Sequence, residues 1–233
     1  MANKPSLKSI RSVFDDRLSS SLGLYSYAEE IAKGTWESIT GREPLHPRQA
    51  QKIVALSFMD IVAGWEDFVE GSFVRYLAGA TSPNGYRPSM RCGYAKSIPH
   101  AYQLASGNPA FKIGSHYFQS NSWRDVVEAA KVFYENGEPF SLLSPFQKEK
   151  LADASKIRNR IAHTSDKCKK EFGVVARQCV PNVHQGYSAG QLLIYKSNKG
   201  FGRSAPTQSY FRHYLSLFED LAEVICPKKE TGT

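Results

Sequence analysis

Apolar residues recur every three or four positions along most of the chain, which is the period of an α-helix. The longest such run covers residues 46–77, where Pro47 suits the first helical turn and a wide apolar stripe predicts a central core helix. Other runs predict helices over 6–33, 99–106, 109–117, 122–137, 144–165 and 206–225. Residues 78–97 are rich in Gly, Pro, Ser and Asn, so we expect an irregular connection there.

Glycines modify two of these predicted helices. The polar stretch 19–23, which ends in Gly23, either divides the first helix or leaves it continuous. Gly64 and Gly71 lie inside the longest run, although glycine weakens a helix. Their position predicts that another helix approaches closely at both sites.

The helical pattern weakens over residues 173–203, where Val174-Val175 and residues 192–195 form two β-like runs among turn residues. We interpret this segment as a loop or a small β-hairpin inserted in a helical domain. The predicted fold is therefore all-α, a bundle of five to seven helices with a small hairpin near 173–203. We predict a single domain over 1–233, with an N-terminal helical extension at 1–45 and a core bundle at 46–226 that carries an insertion at 168–205.

Composition is that of a folded protein with a basic excess. Of the 233 residues, 41% are apolar and 22% are charged, which excludes disorder as the main state. The net charge of +8, with a pI near 9.3, is typical of a protein that binds RNA, DNA or an anionic membrane surface. The four cysteines form no C-x-x-C pair, which favours free thiols in a reducing compartment. No signal-peptide core and no apolar run of ~20 residues is present, so we expect a cytoplasmic protein without a membrane span.

The candidate chemistry is concentrated at the end of the helix predicted over 144–165. Arg158, Asn159 and His163 lie within six residues there. A guanidinium can bind a phosphate with two hydrogen bonds, and an imidazole can transfer protons near neutral pH. RNA cleavage without a metal needs both groups. The alternative is structural, since basic side chains commonly satisfy the last carbonyls of a helix.

The segment Arg158-Asn159-Arg160-Ile161-Ala162-His163 resembles the R-x4-H signature of the HEPN superfamily, the ribonuclease and toxin-like proteins of prokaryotic defence systems. Trp65-Glu66-Asp67-Phe68, on the long upstream helix, adds to the resemblance. The resemblance extends over residues 46–226 in pattern, and only over these two stretches in identity. It implies an all-α HEPN-like bundle that dimerises through the motif helices, so that two Arg–His sets form one metal-independent endoribonuclease site.

The resemblance also implies residue roles. Arg158 would bind the scissile phosphate, His163 would be the general acid and base, and Asn159 would orient one of them. The products would be a 2′,3′-cyclic phosphate and a 5′-hydroxyl. Separately from the resemblance, Glu66 is a candidate acid that would reach the cleft and polarise a catalytic residue, against the alternative of a surface acid paired with a cation. The predicted RNA-binding residues are the neighbouring cations Lys156, Arg160, Lys167, Lys169 and Lys170.

No cofactor and no metal is expected, because the other five histidines show no ligand spacing: His46, His100, His116, His184 and His213. The expected partners are RNA, a second copy of the chain and a separate antitoxin or regulatory protein. The alternative function is a non-catalytic HEPN-like module that binds RNA or a protein partner. Tyr86, Arg87, Arg91 and Tyr94 interleave cations and aromatic rings, which is typical either of a single-strand contact or of an ordinary exposed loop.

Overall fold

The fold is mostly helical, in agreement with the predicted all-α class. The computed structural model describes residues 6–32, 46–113, 122–197, 201 and 207–229. Eight α-helices occur within these residues: α1 Lys8–Ala32, α2 Pro47–Leu77, α3 Ile98–Ser106, α4 Trp123–Phe133, α5 Pro145–Ala162, α6 Asp166–Cys179, α7 Ala189–Ile194 and α8 Tyr210–Ile225. Two 3₁₀ turns, Glu135–Gly137 and Phe140–Leu142, lie between α4 and α5.

The predicted helices form with modest shifts at their ends, except the one predicted over 109–117. Helix α1 is continuous through residues 19–23, and space is open around Gly23. Helix α4 begins after Ser122, whose side chain accepts a hydrogen bond from the Asp125 backbone N–H. Residues 109–113 are not helical, and the rest of the helix predicted over 109–117 lies outside the described residues, as do His116 and the connection at 33–45.

A small two-stranded sheet is present, as predicted, but the β-like runs at 174–175 and 192–195 do not form it. Residues 174–175 and 192–194 are helical, so the prediction of strands at these runs was wrong. Val175 is buried in α6, which Ser165 caps, and α7 begins at a capping box formed by Ser188 and Gln191. Caps and burial on one helix face outweigh the weak β preference of valine and isoleucine. The small sheet forms instead from β1 Lys196–Ser197 and β2 Gln208–Ser209, which pair antiparallel with Lys196 opposite Ser209.

The chain forms two compact units. Unit 1 comprises Met1–Asp15, Trp65–Glu149 and Glu219–Thr233, and unit 2 comprises Asp16–Gly64 and Lys150–Phe218. The unit boundaries fall inside α1, α2, α5 and α8, so each of these helices contributes residues to both units. The single domain, its extension and its insertion stay predictions.

Unit 1 has an aromatic core and one buried cation. The ring of Phe14 stacks on Phe68 at 5.0 Å, and the buried hydroxyl of Tyr134 donates to the Phe73 carbonyl at 2.6 Å. Arg11 is 4% exposed and donates to the Cys226 carbonyl at 2.8 Å. It also pairs with Asp15 at 3.1 Å and with Glu223 at 3.2 Å, which compensates the cost of burying the guanidinium.

Unit 2 has a core of stacked rings: Tyr25 on Phe211 at 4.5 Å, and Phe58 edge-on to Tyr214 at 5.2 Å. His213, on α8, is buried and contacts the Gln208 amide at 2.9 Å. Burial lowers the pKa of this imidazole, and a backbone hydrogen bond at Ser197 opposes that shift.

The close approach predicted at the two α2 glycines is confirmed. A Cβ added at Gly64 would lie 2.5 Å from Cδ of Arg17, and one added at Gly71 would lie 3.0 Å from Cδ1 of Ile10. Arg17 and Ile10 both belong to α1, so each glycine makes room for a side chain of that helix. The predicted apolar stripe of α2 is buried: Val54, Phe58, Ile61, Val62, Trp65, Phe68, Val69, Phe73 and Leu77.

Candidate functional site

Helix α5 brings the motif residues to its C-terminal end. At its start, the Ser144 side chain accepts from the Gln147 N–H at 3.2 Å, and the Gln147 side chain accepts from the Ser144 N–H at 2.9 Å. This reciprocal pair is a capping box, and it fixes where the helix begins. Leu151, Ala154 and Ile157 are buried along one face. The cap therefore fixes the start of α5 and the apolar stripe fixes its buried face, whereas the polar residues at its C-terminal end are not needed for either.

Arg158 and Asn159 form a pair near that end, and His163 lies just past it. Both members of the pair are half-buried, and the Arg158 guanidinium donates to the Asn159 amide oxygen at 3.2 Å. His163 follows the last helical residue and is exposed, and its backbone N–H donates to the Asn159 carbonyl at 2.9 Å. Asn159 thus contacts both signature residues, one through its side chain and the other through its backbone.

Several cations near the motif are already paired. Asp153 is buried in α5 and accepts hydrogen bonds from Lys150 at 3.2 Å and from Lys156 at 3.0 Å. Lys169 pairs with Asp166 at 3.0 Å, and Lys167 reaches Glu171 at 4.0 Å. Three of the five lysines and arginines predicted to bind RNA therefore have a carboxylate neighbour.

The other two predicted RNA-binding residues differ from each other. Arg160 is half-buried and donates to the His163 carbonyl at 3.3 Å, where it closes the end of the helix. Lys170 is exposed on α6, and it has no carboxylate partner within the described part of the chain. Of the five, Lys170 is the cation most available to an incoming anion.

Glu66, the predicted supporting acid, is exposed on α2 in unit 1, whereas the motif residues belong to unit 2. Its role stays a prediction.

In the loop at 86–94, the Arg87 guanidinium lies 3.9 Å from the centre of the Tyr94 ring, and Arg91 donates to the Lys131 carbonyl at 2.8 Å. These cations are used within the chain, which favours the ordinary-loop interpretation.

A second polar feature of unit 2 was missed by sequence reasoning. A cavity of about 680 Å³ lies beside the N-terminal end of α2, and residues 184–191 form its other wall. His46, Arg48, Lys52 and His184 line it. Its two walls are distant in sequence, since Ser188 contacts Gln51 across 137 positions. Neither histidine has the spacing of metal ligands in the sequence, and no local motif marks the site.

The remaining candidate chemistry is sparse. Among the residues that the structure describes, no cluster of three or more His, Cys, Asp or Glu could hold a metal ion. The four cysteines are free, and burial raises the pKa of the Cys226 thiol to about 12. Over the same residues, no helix has both the length and the apolar character that crossing a membrane requires.

Comparison with family models, with curated proteins and with solved structures gives no match to this chain. The resemblance to the HEPN superfamily consequently rests on the residues of α5 and α2 quoted above.

Proposed function

We propose that this protein is a metal-independent endoribonuclease of the HEPN type, acting in a defence or toxin-like role. The observation that supports it best is the exposed imidazole of His163, one helical turn beyond the Arg158–Asn159 pair. An exposed imidazole can exchange protons with a substrate, and a guanidinium can receive a phosphate while a neighbouring amide holds it. Net charge of +8 favours the approach of RNA.

In the proposed reaction, the 2′-oxygen of a ribose attacks the adjacent phosphorus. The new O2′–P bond forms while the P–O5′ bond breaks, and the hydroxyl proton passes to an imidazole. Arg158 stabilises the charge on the pentacoordinate phosphate, and Asn159 holds Arg158 in place. Protonation of the leaving oxygen gives a 5′-hydroxyl, and the other product is a 2′,3′-cyclic phosphate.

The proposal includes a homodimer. The reaction needs one group that accepts a proton and another that donates one, whereas each motif supplies one imidazole. A second copy placed with its α5 end against the first would supply the partner imidazole. A separate antitoxin or regulatory protein is also part of the proposal, because a nuclease active on cellular RNA needs restraint.

The direct test incubates the purified full chain with RNA in EDTA, beside Arg158→Ala and His163→Ala. His163→Ala should lose a factor of about 10²–10⁴ in cleavage rate, the usual contribution of a general acid or base. Arg158→Ala should lose about 10²–10³, the usual contribution of a group that stabilises charge in the transition state. Arg124→Ala and His100→Ala remove the same residue types from unit 1 and should leave the rate unchanged. Product ends are identified by mass, with a cyclic phosphate expected.

Two outcomes would overturn the enzymatic proposal: equal rates in wild type and the motif variants, or no cleavage of any RNA tested. RNA binding without cleavage, lost in Arg158→Ala but kept in His163→Ala, would support the non-catalytic binding module instead. The dimer has its own readout. The rate per chain should fall on dilution in parallel with dimer dissociation, and a constant rate in monomeric protein would contradict a composite site.

A further inference from the structure

We propose that the cavity beside the start of α2 binds a phosphate monoester of mononucleotide size. The proposal is independent of the ribonuclease hypothesis, because none of the motif residues lines this cavity. Among the residues that the structure describes, its charged and titratable lining consists of His46, Arg48, Lys52 and His184, with no Asp or Glu. Four nitrogen-bearing side chains without a carboxylate are suited to an anion.

Repulsion between Arg48 and Lys52 destabilises the start of α2. Arg48 and Lys52 are four positions apart on α2, so they share a face and repel each other. Both are exposed, and neither has a carboxylate partner among the described residues. This contrasts with Lys150 and Lys156, which share the buried Asp153. An anion bound between Arg48 and Lys52 would remove their repulsion.

The backbone at the start of α2 is already occupied, so side chains must bind the ligand. The His46 carbonyl accepts from the N–H groups of Gln49 at 2.8 Å and Ala50 at 3.3 Å. Nδ1 of His46 accepts from the Arg48 N–H at 3.2 Å. The first-turn N–H groups are therefore satisfied by His46 itself.

These hydrogen bonds also assign the ring nitrogens. A backbone N–H can only donate, so Nδ1 of His46 is unprotonated and its Nε2 carries the proton as a donor. His184 is the reverse: its Nδ1 lies 2.9 Å from the Gln185 carbonyl, which can only accept. Nε2 of a neutral His184 is consequently an acceptor. The cavity offers Arg48, Lys52 and His46 as donors and His184 as an acceptor, which matches a phosphate monoester carrying a proton or an adjacent hydroxyl.

The size and the opposite wall decide the class of ligand. A volume of about 680 Å³ is far larger than one phosphate and within the range of small-molecule sites. Gly190 allows the backbone of α7 to pack on α2, because a Cβ there would collide with the Gln51 carbonyl. Pro47, Ala55, Gly186 and Gly190 supply uncharged surface for the remainder of the ligand.

The test is calorimetric titration of the full chain with AMP, inorganic phosphate, sulfate and adenosine. AMP should bind tightest, phosphate more weakly, and adenosine not measurably. Arg48→Gln combined with Lys52→Gln should weaken AMP binding about a hundredfold, since each lost hydrogen bond to a charged group has an effect of about tenfold. Lys8→Gln combined with Arg124→Gln removes the same charge from exposed positions of unit 1 and should leave the affinity unchanged.

The ring assignment has a separate test. His46→Asn and His184→Asn keep a polar atom near Nδ1, and with it the local hydrogen bond, while removing Nε2. Each should weaken AMP binding about tenfold without lowering the melting temperature.

Equal binding of AMP by the wild type and the cavity variants would overturn the proposal, as would equal weakening in the matched control. Phosphate binding as tight as AMP binding would overturn the assignment to a mononucleotide. Circular dichroism of each variant establishes that it is folded, so a loss of binding is attributable to the cavity.

Discussion

The end of α5 and the cavity beside α2 are both basic surfaces of unit 2, yet they balance their charge differently. At the α5 end, Lys156 and Lys169 each have a carboxylate within 3.0 Å. In the cavity, Arg48 and Lys52 share one helix face, and the described part of the lining contains no carboxylate. Lysines and arginines therefore have their charge largely neutralised by carboxylates at the α5 end, and not at the cavity.

The comparison assigns different work to the two surfaces. The proposed chemistry at the α5 end would depend on Arg158 and His163 themselves, because the surrounding lysines are partly used inside the chain. The proposed binding at the cavity would depend on net charge, which attracts an anion before any hydrogen bond forms. A count of basic residues along a segment is thus a poor measure of the field at its surface.

The largest effect on stability should come from Asp153, the acid that compensates charge on α5. Asp153→Ala removes the buried carboxylate that pairs with Lys150, whose side chain is 16% exposed, and with Lys156. We expect the free energy of unfolding to fall by about 2 kcal/mol, less than for a fully buried pair because both lysines keep some solvent. Denaturation in urea measures the change.

Asp166→Ala is the matched control, since its carboxylate is 85% exposed and pairs with Lys169. Its loss should cost less than about 1 kcal/mol, mainly through the first turn of α6. Equal losses in the two variants would show that the compensation on α5 does not stabilise the fold.

The next largest effect should come from Gly190, which forms the cavity wall. A Cβ at this position would meet the Gln51 carbonyl, so Gly190→Ala should lower the free energy of unfolding by about 2 kcal/mol. Gly23→Ala is its counterpart inside α1, where the space is open. That change should stabilise the protein by about 0.5–1 kcal/mol. Thermal unfolding of both variants checks the pair, and a stable Gly190→Ala protein would mean that the cavity wall yields.

The smallest expected effect is on the salt dependence of the proposed RNA binding, and it should differ between Lys170 and Lys156. Lys170→Gln should reduce the slope of log affinity against log salt for single-stranded RNA by about 0.7, because a full counterion-releasing contact is lost. Lys156→Gln should reduce it less, since Asp153 already holds that charge. Fluorescence anisotropy at several salt concentrations measures both slopes. A larger effect at Lys156 would reverse the comparison.

Much of the fold follows from local signals. The stripe of α2 and the starts of α4 and α5 are encoded within a few residues, so periodicity predicted them. Val174 and Val175 are helical although valine favours strands, because Ser165 caps α6 and Val175 is buried on one face of that helix. The hairpin predicted near 173–203 includes β1 but not β2, since short strands carry little pattern of their own.

The two surfaces also differ in how far the sequence alone reveals them. Arg158, Asn159 and His163 are nearly consecutive, so one helix end collects them and sequence spacing identifies them. Asp153 lies one turn before Lys156, and the spacing of three positions could have revealed that pair. His46 and His184 line one cavity through tertiary packing alone, which no local spacing records.

His163 occupies the link between α5 and α6, which is only residues 163–165. Arg160 holds its carbonyl on one side, and the Ser165 side chain caps α6 on the other by accepting from the Cys168 N–H. A link of this length between two helices has few backbone conformations open to it. The backbone of His163 consequently has little conformational entropy to lose, so in the proposed reaction most of the interaction energy gained there would remain available to lower the barrier.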